Sequence, residues 1–99
     1  MSVYAVWDSH FAPDELQEGR AITEAIWRDM TQFDGYLGHE LIEDLDDSGH
    51  LLVVSRWTTR ERADETLRRY AGHPNAQRVK ELVSRPRTRF VGHAVAPGA

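Results

Sequence analysis

Residues 36–57 read Tyr36-Leu37-Gly38-His39-Glu40-Leu41-Ile42-Glu43-Asp44-Leu45-Asp46-Asp47-Ser48-Gly49-His50-Leu51-Leu52-Val53-Val54-Ser55-Arg56-Trp57. The pattern predicts a hairpin. A strand over Tyr36 to Leu45 carries Leu37, Leu41 and Leu45 at even spacing. Asp46-Asp47-Ser48-Gly49 is a turn cluster, and Leu51 to Trp57 is the returning strand. The returning strand is apolar on both sides, with Leu51, Val53 and Trp57 on one and Leu52 and Val54 on the other. A sheet with one wet face alternates apolar and polar residues. Both faces of this sheet are therefore expected to be covered.

Upstream of the hairpin, Val3 to Asp8 reads as a strand. Pro13 suits a first helical position, with Asp14 and Glu15 at the positive end of the helix dipole. Leu16, Gly19, Ile22, Ile26, Met30 and Phe33 then form one apolar stripe, and Gly35 supplies a stop. Downstream, Thr58 and Glu61 have the spacing of a capping box, so a second helix is expected to run to about Ala71. Pro74 opens a short helix through Val83, Pro86 stops it, and Arg87 to Val95 reads as a last strand. The order β-α-β-β-α-(α)-β predicts an α+β, ferredoxin-like fold, an antiparallel sheet with helices on one face. One domain is expected over residues 1–95, with a frayed tail at 96–99. No second helical layer remains to cover the outer sheet face, so a second copy of the chain, packed sheet to sheet, is expected there.

The chain has 99 residues, enough for one domain and small enough to gain from a partner. It has no cysteine, which excludes disulfides and thiolate chemistry. No apolar run approaches the ~20 residues that span a bilayer. The start has no basic segment followed by an apolar one, so no signal peptide is expected and the cytoplasm is the default location. Charge is uneven: residues 1–50 hold 12 acidic and 2 basic side chains, and residues 51–99 hold 4 and 10. One reading is two solvated faces. The other brings the two halves together, within the chain or between two chains; across two copies, Glu40, Glu43 and Asp44 of the second strand are expected to meet Arg85, Arg87 and Arg89 of a partner's last strand.

Phe33-Asp34-Gly35-Tyr36-Leu37-Gly38-His39-Glu40-Leu41 resembles the pG-x-L-G-x-E-L stretch of the antibiotic biosynthesis monooxygenase family. The Asp46–Gly49 turn, the strand ending in Trp57, and His73-Pro74 after the second helix resemble further features of that family in the same order. The resemblance implies a dimeric α+β barrel with a small-molecule cavity between sheet and helices. Some members of the family oxygenate anthrones and quinols with molecular oxygen and no metal or flavin, and others degrade haem. In the aromatic oxygenases a tryptophan, an asparagine, a tyrosine and an arginine line the cavity. Trp57 matches the tryptophan. The other three positions fall near Val53, Ala63 and Lys80. For the haem-degrading set, the asparagine falls near Trp7 or Asp8, the tryptophan near Thr66, and only His73 matches.

The resemblance implies an apolar, aromatic pocket with few polar groups, for which Trp57, Trp27, Trp7, Tyr70 and Phe90 offer walls. Each is equally readable as plain core. His73 and His39 are the candidate bases. His73 also stands where a helix needs a capping residue. Arg56 and Lys80 are candidates for holding an enolate or phenolate, against an ion pair and a solvated helix face. The five histidines, His10, His39, His50, His73 and His93, show no metal-ligand spacing, and no metal or other cofactor is expected. The function expected is a cofactor-independent monooxygenase on a polycyclic or quinol-like aromatic. A cyclase or isomerase on the same fold and a non-catalytic binding dimer are the alternatives. RNA binding has only the basic second half in its favour and no aromatic motif on the central strands, so neither nucleic acid nor membrane is expected as a partner.

Overall fold

A computed structural model describes residues 2–96. The expected tail at 96–99 thus lies outside the described residues except for Ala96. Seven elements follow in order: β1 (Val3–His10), α1 (Leu16–Met30), β2 (Tyr36–Glu43), β3 (His50–Trp57), α2 (Arg60–Tyr70), α3 (Pro74–Leu82) and β4 (Thr88–Gly92). The strands form one antiparallel sheet in the order β2-β3-β1-β4. This is the ferredoxin-like α+β arrangement that the hydrophobic pattern predicts.

Register decides which side chains face the helices. Leu51, Val53, Ser55 and Trp57 of β3 are buried, and they stand opposite Ser9, Trp7, Ala5 and Val3 of β1. The helices complete the core with Ile26, Trp27 and Met30 of α1, Ala63 and Tyr70 of α2, and Val79 and Leu82 of α3. α1 has the expected stripe, with Gly19 flush against the ring of buried Phe11. The outer face carries Tyr4, Val6, Leu52 and Val54 on the central strands and Phe90 on the edge, Phe90 being 63% exposed. Both faces of the sheet are apolar, and only one of them meets helices.

Several boundaries differ from the sequence reading, each for a local reason. α1 starts at Leu16 because Ala12–Glu15 close a turn first, the Glu15 N–H donating to the Ala12 carbonyl at 2.9 Å. Thr59, not Thr58, caps α2: its hydroxyl accepts from the Arg62 N–H at 3.2 Å. Thr58 still belongs to the sheet end, where its N–H donates to the Gly35 carbonyl at 2.8 Å. Gly35 meets it with φ +88°, a conformation that favours glycine. In β2 the register slips between Tyr36 and Gly38, so Leu37 is a bulge residue and does not share a face with Leu41. β2 stops at Glu43, leaving Leu45 99% exposed in the turn, and β4 stops at Gly92, leaving Val95 92% exposed.

Some of the charged residues expected to meet across two copies also have partners within one chain. Arg89 and Val91 share the helix-facing side of β4, and Arg89 reaches Asp64 of α2 at 3.1 Å. Glu43 pairs with Arg20 of α1.

Candidate functional site

Between the inner sheet face and the helices lies a cavity of about 170 Å³. Trp7, Ser9 and Val53 form its floor. Thr23, Ile26, Trp27 and Met30 of α1 form one wall, with Leu67, Tyr70 and Ala71 at the end of α2. Ala76, Val79 and Lys80 of α3 and Arg87, just before β4, complete it. A second void of about 30 Å³ adjoins it, sharing Trp7, Trp27, Met30 and Leu67 and adding Trp57, Ala63, Thr66 and Arg89.

The lining is mostly apolar, so the few polar groups decide what it can hold. The Thr23 hydroxyl is committed to the Gly19 carbonyl at 2.7 Å. Tyr70 presents its ring to the cavity, while its hydroxyl donates to Asp29 Oδ2 at 2.6 Å in a separate, open hollow. Burial, reinforced by that bond to Asp29, pushes the phenol up to about 12, so Tyr70 stays protonated at neutral pH. Arg87 differs. It is half-buried, its guanidinium lies 4.4 Å over the Trp7 ring, and desolvation lowers its pKa. No carboxylate among the described residues forms an ion pair with it. Arg89 lies 5.8 Å from the same ring. One Arg89 nitrogen is held by Asp64, but its Nε is buried without a hydrogen-bond partner among the described residues. The cavity is thus an aromatic box with cationic groups on one side, suited to a small aromatic anion.

The residues singled out from sequence divide into two groups. Trp27, Tyr70 and Lys80 line the cavity. Trp57 borders the small void: it is 2% exposed, and its indole N–H donates to Ser55 Oγ at 2.9 Å, which in turn donates to the Ala5 carbonyl. Arg56, His39 and His73 lie elsewhere. Arg56 is exposed on the opposite face of the sheet. His39 packs behind Trp27 at 5.4 Å and shares a hydrogen bond of 2.6 Å with the Tyr36 hydroxyl. His73 caps α3, its Nδ1 accepting from the Asn75 N–H at 3.0 Å, and it stacks on Tyr70 at 4.4 Å on the side of the open hollow. Val53, Ala63 and Lys80, the positions carried over from the resemblance for asparagine, tyrosine and arginine, all border the cavity or its annex.

Arg87 was missed as a pocket residue. Its signal was the alternation of Arg87, Arg89 and Val91 against Thr88 and Phe90, which puts the arginines on the side of a partly buried valine that packs on the core. Ser9 and Met30 carried no signal beyond their place in a strand and a helix stripe.

The family model described as antibiotic biosynthesis monooxygenase matches residues 2–82. No curated protein matches the sequence. Among solved structures, a putative antibiotic biosynthesis monooxygenase from Bordetella bronchiseptica superposes with TM-score 0.82 at 14% identity, over 96% of this chain and 98% of that one. Rv0793 from Mycobacterium tuberculosis gives 0.78 at 23% identity, over the whole of both chains. SnoaB, a cofactor-independent oxygenase from Streptomyces nogalater, gives 0.75 at 19% identity, over 97% and 95%. These structural likenesses establish the fold. The match over residues 2–82 establishes the family: the chain belongs to the antibiotic biosynthesis monooxygenases.

Proposed function

We propose that the chain is a cofactor-independent monooxygenase acting on a small quinol-like aromatic. The observation that carries this reading is Arg87, a half-buried cation over the Trp7 ring at the edge of an aromatic cavity. A quinol or enolisable ketone that enters as its anion relieves the desolvation of Arg87 and gains a charge-assisted hydrogen bond. Such an anion transfers one electron to molecular oxygen, and the resulting radical pair recombines into a hydroperoxide at carbon. Loss of water then leaves a carbonyl. A CH₂ group and O₂ thereby become a C=O group and H₂O, and the substrate supplies every electron. The protein's task is to hold the anion and exclude bulk water. At about 170 Å³ the cavity is smaller than the ~300–1,000 Å³ usual for drug-sized ligands, which favours a two-ring naphthoquinol over a three-ring anthrone.

A second reading, binding without turnover, is favoured by a specific feature. The lining contains no imidazole or carboxylate, and Val53 and Ala63 offer no polar group where the resemblance places asparagine and tyrosine. In the oxygenase reading the cations Arg87 and Lys80 replace a protein base by lowering the substrate's own pKa. His73 and His39 act on the walls, through Tyr70 and Trp27, rather than on substrate.

Oxygen uptake by metal-stripped protein with naphthoquinols and anthrones, and no flavin or nicotinamide, tests the proposal. We expect uptake well above the spontaneous rate and a loss of about tenfold or more in Arg87→Gln. Ligand-dependent quenching of tryptophan fluorescence without uptake would replace the oxygenase by a binding role. A changed product under argon would indicate a cyclase or isomerase. We further propose that residues 1–95 act as one domain, that two copies pair through the outer sheet face, and that the protein works in the cytoplasm. No helix of the described residues is long and apolar enough to cross a membrane.

A further inference from the structure

On the opposite face of the sheet from the cavity, His10 of β1 and His50 of β3 stand directly across from each other. They are 40 positions apart in sequence, so no spacing motif announces them. Their rings stack with centroids 4.2 Å apart and planes within 3°. Both Nε2 atoms converge on a single oxygen, Asp8 Oδ1, at 2.8 Å from His50 and 3.2 Å from His10. Asp8 reaches this point because it sits two residues before His10, on the same side of β1. Behind His50, Asp44 Oδ2 lies 2.8 Å from Nδ1.

We infer that Asp8, His10 and His50 bind a divalent transition ion of the zinc class. The geometry carries this. One donor atom from each of the three residues falls within 4.8 Å of the others. In a tetrahedral site with N and O bonds of ~2.0–2.2 Å, neighbouring ligand atoms lie roughly 3.3 Å apart. The observed separations of 2.8 and 3.2 Å are close to that value, and the two imidazoles, which stack in parallel planes, must also turn so that both Nε2 atoms face one ion. Asp44 behind His50 supplies the carboxylate–histidine pairing that fixes a ligand's tautomer, with Nδ1 as donor, while Nε2, now hydrogen-bonded to Asp8, gives up its proton to bind the ion. His10 has a comparable but looser partner, Asp47 Oδ2, 4.0 Å from its Nδ1. The Arg85 guanidinium donates to that same nitrogen at 2.8 Å, so binding through His10 Nε2 requires that contact to give way. The side chains of Asp8, His10 and His50 are partly exposed and lie outside the Tyr4, Val6, Val54 and Phe90 hollow at which we propose two copies pair, which leaves the ion a path and a fourth position for water or an external ligand. Two imidazoles and one carboxylate select zinc, nickel, cobalt or copper over magnesium and calcium, which require oxygen donors.

This site is independent of the proposed oxygenase chemistry, since Asp8 and His10 point away from the face on which Trp7 and Ser9 line the cavity. Isothermal titration of chelator-treated protein with Zn²⁺ tests it, with Mg²⁺ in parallel. We expect one Zn²⁺ per chain in the micromolar range or tighter, and no Mg²⁺ heat. His50→Gln, His10→Gln and Asp8→Asn should each weaken binding at least tenfold, and Asp44→Asn should weaken it about tenfold at unchanged stoichiometry. Far-UV circular dichroism accompanies each variant. If His50→Gln does not fold, the partly exposed Asp8→Asn carries the comparison. Absence of stoichiometric binding, or equal affinity in Asp8→Asn and the parent, would overturn the assignment.

Discussion

His39 illustrates what a partly buried titratable group does at the scale of one residue. Its ring packs against Trp27, and its Nδ1 shares a hydrogen bond of 2.6 Å with the Tyr36 hydroxyl. Desolvation holds the imidazole below its ordinary value. The unfolded chain therefore takes up this proton before the folded one as the pH falls. The contribution is present in full above the unfolded value of ~6.5 and is lost as the pH drops through it toward the folded value. Urea unfolding of the parent and of His39→Gln at pH 7.5 and pH 5.5 checks this. The parent should lose more stability on acidification than the variant, and parallel losses would refute it. The residue scale is also where the sequence was least legible. Trp27, Tyr70 and Lys80 could be placed on the cavity because periodicity assigns a face. The functional weight of Arg87 could not, because it depends on which neighbours leave its charge unpaired.

Elements were legible to within a few residues, and the errors share one cause. The hydrophobic period marks where a helix or strand can be, while single hydrogen bonds decide where it begins. Thr58 and Thr59 are equally good caps by composition. In the structure Thr59 caps α2, while Thr58 ends the hairpin with its N–H on the Gly35 carbonyl. Thr59→Ala should therefore cost about 1 kcal/mol in urea unfolding by releasing the Arg62 N–H, while Thr58→Ala should cost distinctly less. The reverse order would mean that the capping box read from Thr58 and Glu61 forms in solution. Leu37 makes the same point for a strand. Even spacing joined it to Leu41, but the slip between Tyr36 and Gly38 places it on a bulge, and no composition signal distinguishes a bulge leucine from a paired one.

The whole molecule has one sheet and one helical layer, so the apolar pattern on both sides of β3 has an unanswered half. Tyr4, Val6, Val54 and Phe90 surround a shallow hollow of about 240 Å³ on the outer face. Phe90 protrudes from it at 63% exposure. A monomer seldom leaves a contiguous aromatic and aliphatic patch in water. A two-fold axis lets one patch bury its own copy. The charge pattern adds acidic β2 against basic β4 to the expected contact, but Arg89 and Glu43 also find partners inside the chain, so the pairing we propose rests on the apolar face. Sedimentation equilibrium at micromolar concentration and neutral pH should report a dimer. Phe90→Glu should shift it to monomer, because each interface would then bury two carboxylates against apolar surface. Phe90 makes no contribution to the cavity lining, so the folded monomer should keep its cavity and its near-UV circular dichroism. A parent chain that sediments as a monomer would show that the outer face serves some other partner, whereas a dimer that survives Phe90→Glu would move the interface to the sheet edges.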